Sequence, residues 1–281
     1  MIKLLVQPMK WMLTAALVVS SALQDPAKGI AQTKVPATIQ QPVQPTNKPA
    51  SPKQQTSRPV FIWPKTPPRL TTVSGRRTGM GSRNDCPAVG TALTALVPVQ
   101  EQEVASKHIN TSSIPVDVWG LTTSERPTFW FYIPYTNASG EFVLQDKQEN
   151  DIYRNAIALG AKPGVIGVSL PSTVALQEGK TYRWYFKVNC DRQQTAAVPV
   201  YVEGDIQRIS LHPRIEQQLA AATNPRQKIA IYAANGIWFD ALTMLAQQRL
   251  AHPDDASVVS DWQILLRSVR LEDVATTPLV K

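Results

Sequence analysis

Between residues 86 and 206, apolar side chains recur at every second position in short runs, and these runs are separated by residues typical of turns. The clearest run is Thr181–Cys190, in which one parity is apolar and the other polar: Tyr182, Trp184, Phe186 and Val188 alternate with Arg183, Lys187 and Asn189. This period of two predicts a strand with one buried face. Thr128–Ile133 is apolar on both parities, which predicts a central strand covered on both sides.

Further strands are predicted at Phe142–Leu144, Val165–Leu170 and Val198–Val202, with a weaker one at Tyr153–Leu159. No helical pattern separates these runs. Their spacing predicts an antiparallel β-sandwich over residues 85–206, and the pattern leaves open whether it is Ig-like or fibronectin-like.

From residue 207 to the end, the apolar period changes to that of amphipathic helices. Asn224-Pro225 is a helix start signal, and Asn235-Gly236 is a helix stop signal. Helices are predicted at 213–222, 225–235, 237–250 and 256–270. The central pair is similar to a tetratricopeptide hairpin, and a region of this size must pack on the sandwich. The fold class is therefore mainly β with α.

The N-terminus has the pattern of an export signal. Two lysines precede the uncharged apolar run Trp11–Leu23, and small residues follow, so residues 1–22 are predicted to be a signal peptide cleaved after Ala22 or after Ala31. An uncleaved membrane anchor is the alternative. After cleavage no stable membrane span is expected, because no other uncharged run approaches the roughly 18 residues of a span.

Residues 23–84 are rich in proline and poor in large apolar side chains, which predicts a disordered linker. Residues 1–84 carry 12 Lys and Arg and one acid, whereas residues 85–281 carry 17 Lys and Arg and 20 Asp and Glu. The linker is either a soluble tether or a stalk that contacts an anionic surface. Since the positive charge lies outside the folded region, nucleic-acid binding is not expected.

Cys86 and Cys190 are the only two cysteines. An even pair in an exported protein commonly forms a disulfide, which is what we expect here; two buried free thiols are the alternative. Neither cysteine has a CxxC partner or a neighbouring histidine, so no metal site or cofactor is predicted.

Two sequence blocks carry a resemblance to a known family: PTFWFYIP at 127–134 and NGIWFDAL at 235–242. Over about residues 76–281, the chain resembles DUF928, a family of exported cyanobacterial proteins whose shared domain has no known function. The resemblance implies a periplasmic or extracellular location. It transfers no catalytic residue.

Few residues of the chain fit a known catalytic or metal-binding motif. His108, His212 and His252 are isolated, and no nucleophile elbow or metal-binding motif occurs, so the protein is predicted not to be an enzyme. Glu125, Arg126 and Trp119 are the candidate binding residues. The predicted function is an exported cell-envelope protein that binds another envelope protein. The alternative is binding of a carbohydrate or wall polymer through Trp119, Trp130, Trp184 and Tyr185.

Overall fold

The computed structural model describes residues 58–64, 75–79, 86–101, 116–136, 138–190 and 198–280. The predicted signal peptide and His108 lie outside these ranges. The strands are β1 (Thr94–Ala95), β2 (Val99–Glu101), β3 (Val116–Thr122), β4 (Thr128–Ile133), β5 (Ser139–Gln145), β6 (Asp151–Ala158), β7 (Gly164–Ser169), β8 (Thr181–Asn189) and β9 (Val200–Arg208). The helices are α1 (Pro213–Ala221), α2 (Pro225–Ala234), α3 (Trp238–Ala251) and α4 (Ala256–Arg267), and a 3-10 turn follows at Glu272–Val274.

The strands form two sheets, one of three strands in the order β1-β4-β7 and one of six in the order β2-β3-β9-β8-β5-β6. Among the strands of the described ranges, every pairing is antiparallel except that of β3 with β9, where Trp119 lies opposite Asp205 in a parallel register. The expectation of a wholly antiparallel arrangement is wrong at this pair. Between β3 and β9 the chain contributes strands to both sheets. This long connection allows β9 to run beside β3 in the same direction, as a parallel pairing requires.

The two sheets bury aromatic side chains against each other. Phe131 of β4 stacks on Phe186 of β8 with ring centroids 4.4 Å apart, and Phe129 lies 4.8 Å from Phe142 of β5. On the opposite side of β4, Trp130 donates a hydrogen bond from Nε1 to Thr243 Oγ1 of α3 at 3.1 Å. The prediction that this strand is covered on both faces is confirmed, and so is the alternation along β8.

Helix α2 begins and ends where the sequence signals predict, whereas α4 ends at Arg267, three residues before the predicted end. The Asn224 side chain accepts a hydrogen bond from the Gln227 amide at the start of α2, and Gly236 follows its end with φ of +72°. Trp238, the first residue of α3, donates from Nε1 to the Leu96 carbonyl at 2.8 Å and so joins the helices to the strands. Among the described residues, no helix has the length and apolarity needed to cross a membrane.

Arg58–Pro64 packs on the fold, although its residues lie within the predicted disordered linker. Phe61 is 6% exposed, and its ring lies 5.3 Å from that of Trp238. The Phe61 amide donates to Ser268 Oγ and the Ile62 amide to the Ala233 carbonyl. The prediction of a disordered linker is wrong for this segment. Its aromatic side chains pack in a buried position, which the proline content of the sequence does not reveal.

Cys86 and Cys190 form a disulfide with their Cα atoms 5.0 Å apart. Cys86 precedes β1 of the three-stranded sheet, and Cys190 follows β8 of the six-stranded sheet. The bond therefore links elements of both sheets across 104 residues of sequence.

Candidate functional site

The loop that joins β3 to β4 presents the two charged residues that the sequence singles out. Glu125 and Arg126 have side chains 51% and 43% exposed, and their charged groups lie 3.3 Å apart. Arg208 approaches the other Glu125 oxygen at 3.5 Å. The structure thus places this acid and this base side by side at the surface, where a partner can reach both.

This loop is held by hydrogen bonds from its own and neighbouring residues. The Leu176 amide donates to the Glu125 carbonyl at 2.8 Å. The Arg126 amide donates to Ser124 Oγ at 3.1 Å, and the Ser124 amide donates to Thr122 Oγ1 at 3.1 Å. A loop whose backbone is fixed in this way loses little conformational entropy when it binds a partner.

Asp240, in the first turn of α3, anchors the start of the loop. Its carboxylate accepts hydrogen bonds from Thr122 Oγ1 at 2.7 Å, from the Thr123 amide at 3.1 Å and from the Thr123 hydroxyl. Burial raises the pKa of Asp240, and the Thr123 and Thr122 hydrogen bonds oppose that rise. Burial and the nearby Asp240 carboxylate also raise the pKa of Tyr232.

A small cavity of about 170 Å³ lies between the loop and helices α2 and α3. Its lining combines polar and apolar side chains: Ser124, Arg126, Tyr232, Asp240, Thr243 and Gln247 lie beside Pro127, Phe239 and Met244. Arg126 contributes to the lining, so one charged side chain is available both to the open surface and to the cavity. A cavity of this volume holds a single side chain or a small polar molecule.

Replacing Asp240 with alanine is expected to lower the free energy of unfolding by about 2–4 kcal/mol, because two threonine hydroxyls and an amide lose their acceptor in a part-buried site. Denaturant unfolding measures the change. The control is Asp254→Ala, an exposed aspartate of the loop before α4, with an expected change below about 0.5 kcal/mol. Equal effects of the two substitutions would contradict the anchoring role.

Sequence reasoning did not identify Asp240 or Tyr232 as site residues. Asp240 is a charged residue within the apolar block NGIWFDAL, and an acid inside such a block is the signal that could have found it. Its partners lie 117 and 118 residues away in sequence, so their proximity could not be read from spacing.

Trp119 is not available for binding, which corrects its prediction as a site residue. It is 2% exposed, and Trp63 covers it with ring centroids 5.4 Å apart. Trp130 and Trp184 are also buried. Of the four aromatic residues predicted to stack on sugar rings, only Tyr185 is partly exposed, and its hydroxyl accepts a hydrogen bond from Arg183 Nε.

A second group of charged residues lies on the face of the six-stranded sheet that points away from the three-stranded sheet. Arg183 Nη2 lies 2.8 Å from Glu203 Oε2, and its Nη1 lies 3.7 Å from Asp205 Oδ1. Burial raises the pKa of Asp205 to about 6; Arg183 opposes the rise, whereas Glu203 and Asp117 add to it. The folded protein therefore binds a proton at Asp205 more readily than the unfolded chain does.

This raised pKa predicts a pH dependence of stability. Because the folded pKa is about 6 and the unfolded value about 3.9, the Asp205 contribution to unfolding free energy falls as the pH rises from about 4 to about 6. The total fall is at most about 3 kcal/mol. Urea unfolding of the wild type and of Asp205→Asn measures this fall as a change with pH in the difference between their free energies of unfolding. A difference that stays constant over this pH range would contradict the prediction.

Comparison with known proteins identifies a family without an assigned role. Residues 78–279 match the family model described as Domain of Unknown Function (DUF928). No curated protein matches the chain. Among solved structures, a crystal structure of the C-terminal domain of Wzt aligns with a TM-score of 0.26 and 9% identity, over 50% of this chain and 83% of that one.

Proposed function

The chain belongs to the DUF928 family, and we propose that it is an exported, non-enzymatic protein of a cyanobacterial cell envelope. In this proposal it binds another envelope protein through the loop that carries Glu125 and Arg126. The sandwich, Ig-like or fibronectin-like, and the tetratricopeptide-like helices hold that loop in place.

The observation that carries the proposal is the exposed Glu125–Arg126 pair on a loop whose backbone is fixed by hydrogen bonds. A partner that meets this pair gains charge-assisted hydrogen bonds without first having to order the loop. Arginine is also among the residues that contribute most binding energy at protein interfaces. The loop therefore has the features of a preorganised contact site.

Export is supported by the disulfide together with the signal-like residues 1–22. Disulfides persist in oxidising compartments and are rare where thioredoxin and glutathione keep thiols reduced. The proposed location is accordingly periplasmic or extracellular.

The proposal is tested by crosslinking the intact protein in envelope extract and identifying what co-purifies. Arg126→Ala is expected to weaken recovery of the partner at least tenfold, since the exposed guanidinium supplies the hydrogen-bond donors of the contact. Arg214→Ala, at an exposed arginine of α1, is the matched control and should leave recovery unchanged. Both variants should keep the melting temperature of the wild type.

Two results would overturn the proposal: recovery of no stoichiometric partner, or equal recovery with Arg126→Ala and the wild type. Purified wall polymer, tested in parallel, addresses the alternative function. Binding to polymer that is insensitive to Arg126→Ala would favour that alternative, with Tyr185 as the remaining aromatic residue of those first considered.

A further inference from the structure

The four sheet edges differ in how much unpaired backbone they present. β1 and β2 are edge strands of only two and three residues. The edge of β7 is partly covered by the C-terminal residues, because at Val165 the amide donates to the Pro278 carbonyl and the carbonyl accepts from the Val280 amide. β6 is eight residues long, and no strand within the described ranges pairs with its outer side.

β6 lacks most of the features that protect edge strands from pairing with another chain. Such strands are usually protected by charged side chains, especially lysine, by proline, by an inward-pointing charge or by a bulge. The charges of β6 are Asp151 and Arg154, which pair with each other. β6 has neither proline nor lysine. Its one irregularity lies at its beginning, opposite Leu144 and Gln145, and Tyr153–Ala158 pairs regularly with β5. Six consecutive residues can thus serve as a template for another strand.

The side of β6 that faces the sandwich interior carries two apolar side chains that are incompletely covered. Tyr153 and Ile157 lie on this side, are half-buried and pack against the core, and the Tyr153 ring lies 6.2 Å from that of Phe142. Asn155 lies between them and is exposed, although it is paired with the fully buried Phe142. The second sheet therefore does not cover β6, and apolar area remains there for a partner.

We propose that a second copy of this chain pairs with β6 along its free edge in an antiparallel register centred on Asn155, which joins two six-stranded sheets into one of twelve strands. This proposal concerns self-association and does not rest on the proposed function. In a two-fold dimer the same surface serves both copies, so the strand must be complementary to itself.

The sequence of β6 is complementary to itself in this register. With Asn155 opposite Asn155 of the second copy, Tyr153 lies opposite Ile157 on both sides of the two-fold axis. The two asparagine side chains can hydrogen-bond to each other at the axis. Aromatic residues opposite β-branched residues are favourable cross-strand pairs.

The other face of the strand supports the same register. Arg154 lies opposite the small side chain of Ala156, which leaves room for the guanidinium. That guanidinium is already neutralised within its own copy, with Glu141 at 2.6 Å and Asp151 at 2.7 Å. Moving the axis by one residue toward the N-terminus would place Arg154 opposite Arg154 of the second copy, where like charges repel. Moving it by one residue toward the C-terminus would replace the Tyr153–Ile157 pairs with Asn155–Ile157 pairs.

A cysteine-crosslinking experiment on the full chain tests both the dimer and its register. Because Cys86 and Cys190 are bonded to each other, a single introduced cysteine is the only free thiol. Directly opposite positions bring Cα atoms within the range that a disulfide spans. Asn155→Cys is therefore expected to form a covalent dimer under mild oxidation. Ala156→Cys is expected to form at least tenfold less covalent dimer under the same conditions.

Sedimentation velocity over about 1 μM to about 1 mM measures the dimer without a crosslink. Asn155→Lys places two like charges at the axis and should weaken the dimer at least tenfold, with the melting temperature unchanged because Asn155 is exposed. Glu149→Lys, an exposed change in the turn before β6, should leave association unchanged. A monomeric wild type, equal crosslinking at 155 and 156, or a dimer insensitive to Asn155→Lys would each overturn the proposal.

Discussion

Replacing Phe61 with alanine is expected to lower the free energy of unfolding by about 3–5 kcal/mol, the usual cost of truncating a buried phenylalanine. Phe61 contacts Trp63 and Trp238 edge-on, with centroids 5.2 and 5.3 Å away, and its own side chain is 6% exposed. Truncation leaves a cavity against Trp238, the residue that joins α3 to the strands through its hydrogen bond to Leu96. Urea or thermal unfolding measures the loss.

Ile62→Ala is the matched control within the same segment. Its side chain is 55% exposed, while its backbone amide keeps the hydrogen bond to Ala233 in the variant. We expect a loss of no more than about 0.5 kcal/mol. If Phe61→Ala were as mild as Ile62→Ala, the segment would contribute nothing to folding and would behave as the linker that its composition predicts.

Removal of the disulfide is expected to have an effect of similar size. The double variant Cys86→Ser, Cys190→Ser should lose about 2–5 kcal/mol, because the bond closes a loop of 104 residues and restricts the unfolded chain. Thermal unfolding of the oxidised wild type and the double variant measures the difference.

A reducing agent provides the control for this prediction. It should lower the melting temperature of the wild type toward that of the double variant, and it should not change the melting temperature of the double variant itself. A wild-type melting temperature that is insensitive to complete reduction would contradict the stabilising role of the bond.

The pattern of apolar and polar residues predicted those strands and helix ends that are determined by residues close together in sequence. The alternation in Thr181–Asn189 identified a strand with one buried face, and the double apolar character of Thr128–Ile133 identified one covered on both sides. Asn224 and Gly236 marked the ends of α2 because capping is decided within a few residues.

Contacts between residues distant in sequence could not be predicted in the same way. The parallel pairing of β3 with β9 depends on where the chain returns after passing through both sheets. Trp119 was expected at the surface, yet Trp63 buries it. Phe61 lies in a proline-rich range whose composition favours disorder, and its burial depends on a site formed by α2, α3 and α4.

The candidate site was predictable only in part for the same reason. Glu125 and Arg126 stood out as adjacent charges before an apolar strand, and both are exposed. Asp240 fixes the loop that carries them, but its hydrogen bonds to Thr122 and Thr123 connect residues more than 100 positions apart. The sequence indicated which charges reach solvent and did not indicate what holds them.

The proposed function requires that this chain leaves the cytosol and folds with Cys86 bonded to Cys190. Thiol alkylation followed by intact mass measurement, on protein taken separately from the envelope and cytosolic fractions of its native cells, tests this claim most directly. The protein is expected in the envelope fraction, with neither cysteine alkylated and with its N-terminus after Ala22 or Ala31. Full-length protein in the cytosolic fraction with both cysteines alkylated would contradict it.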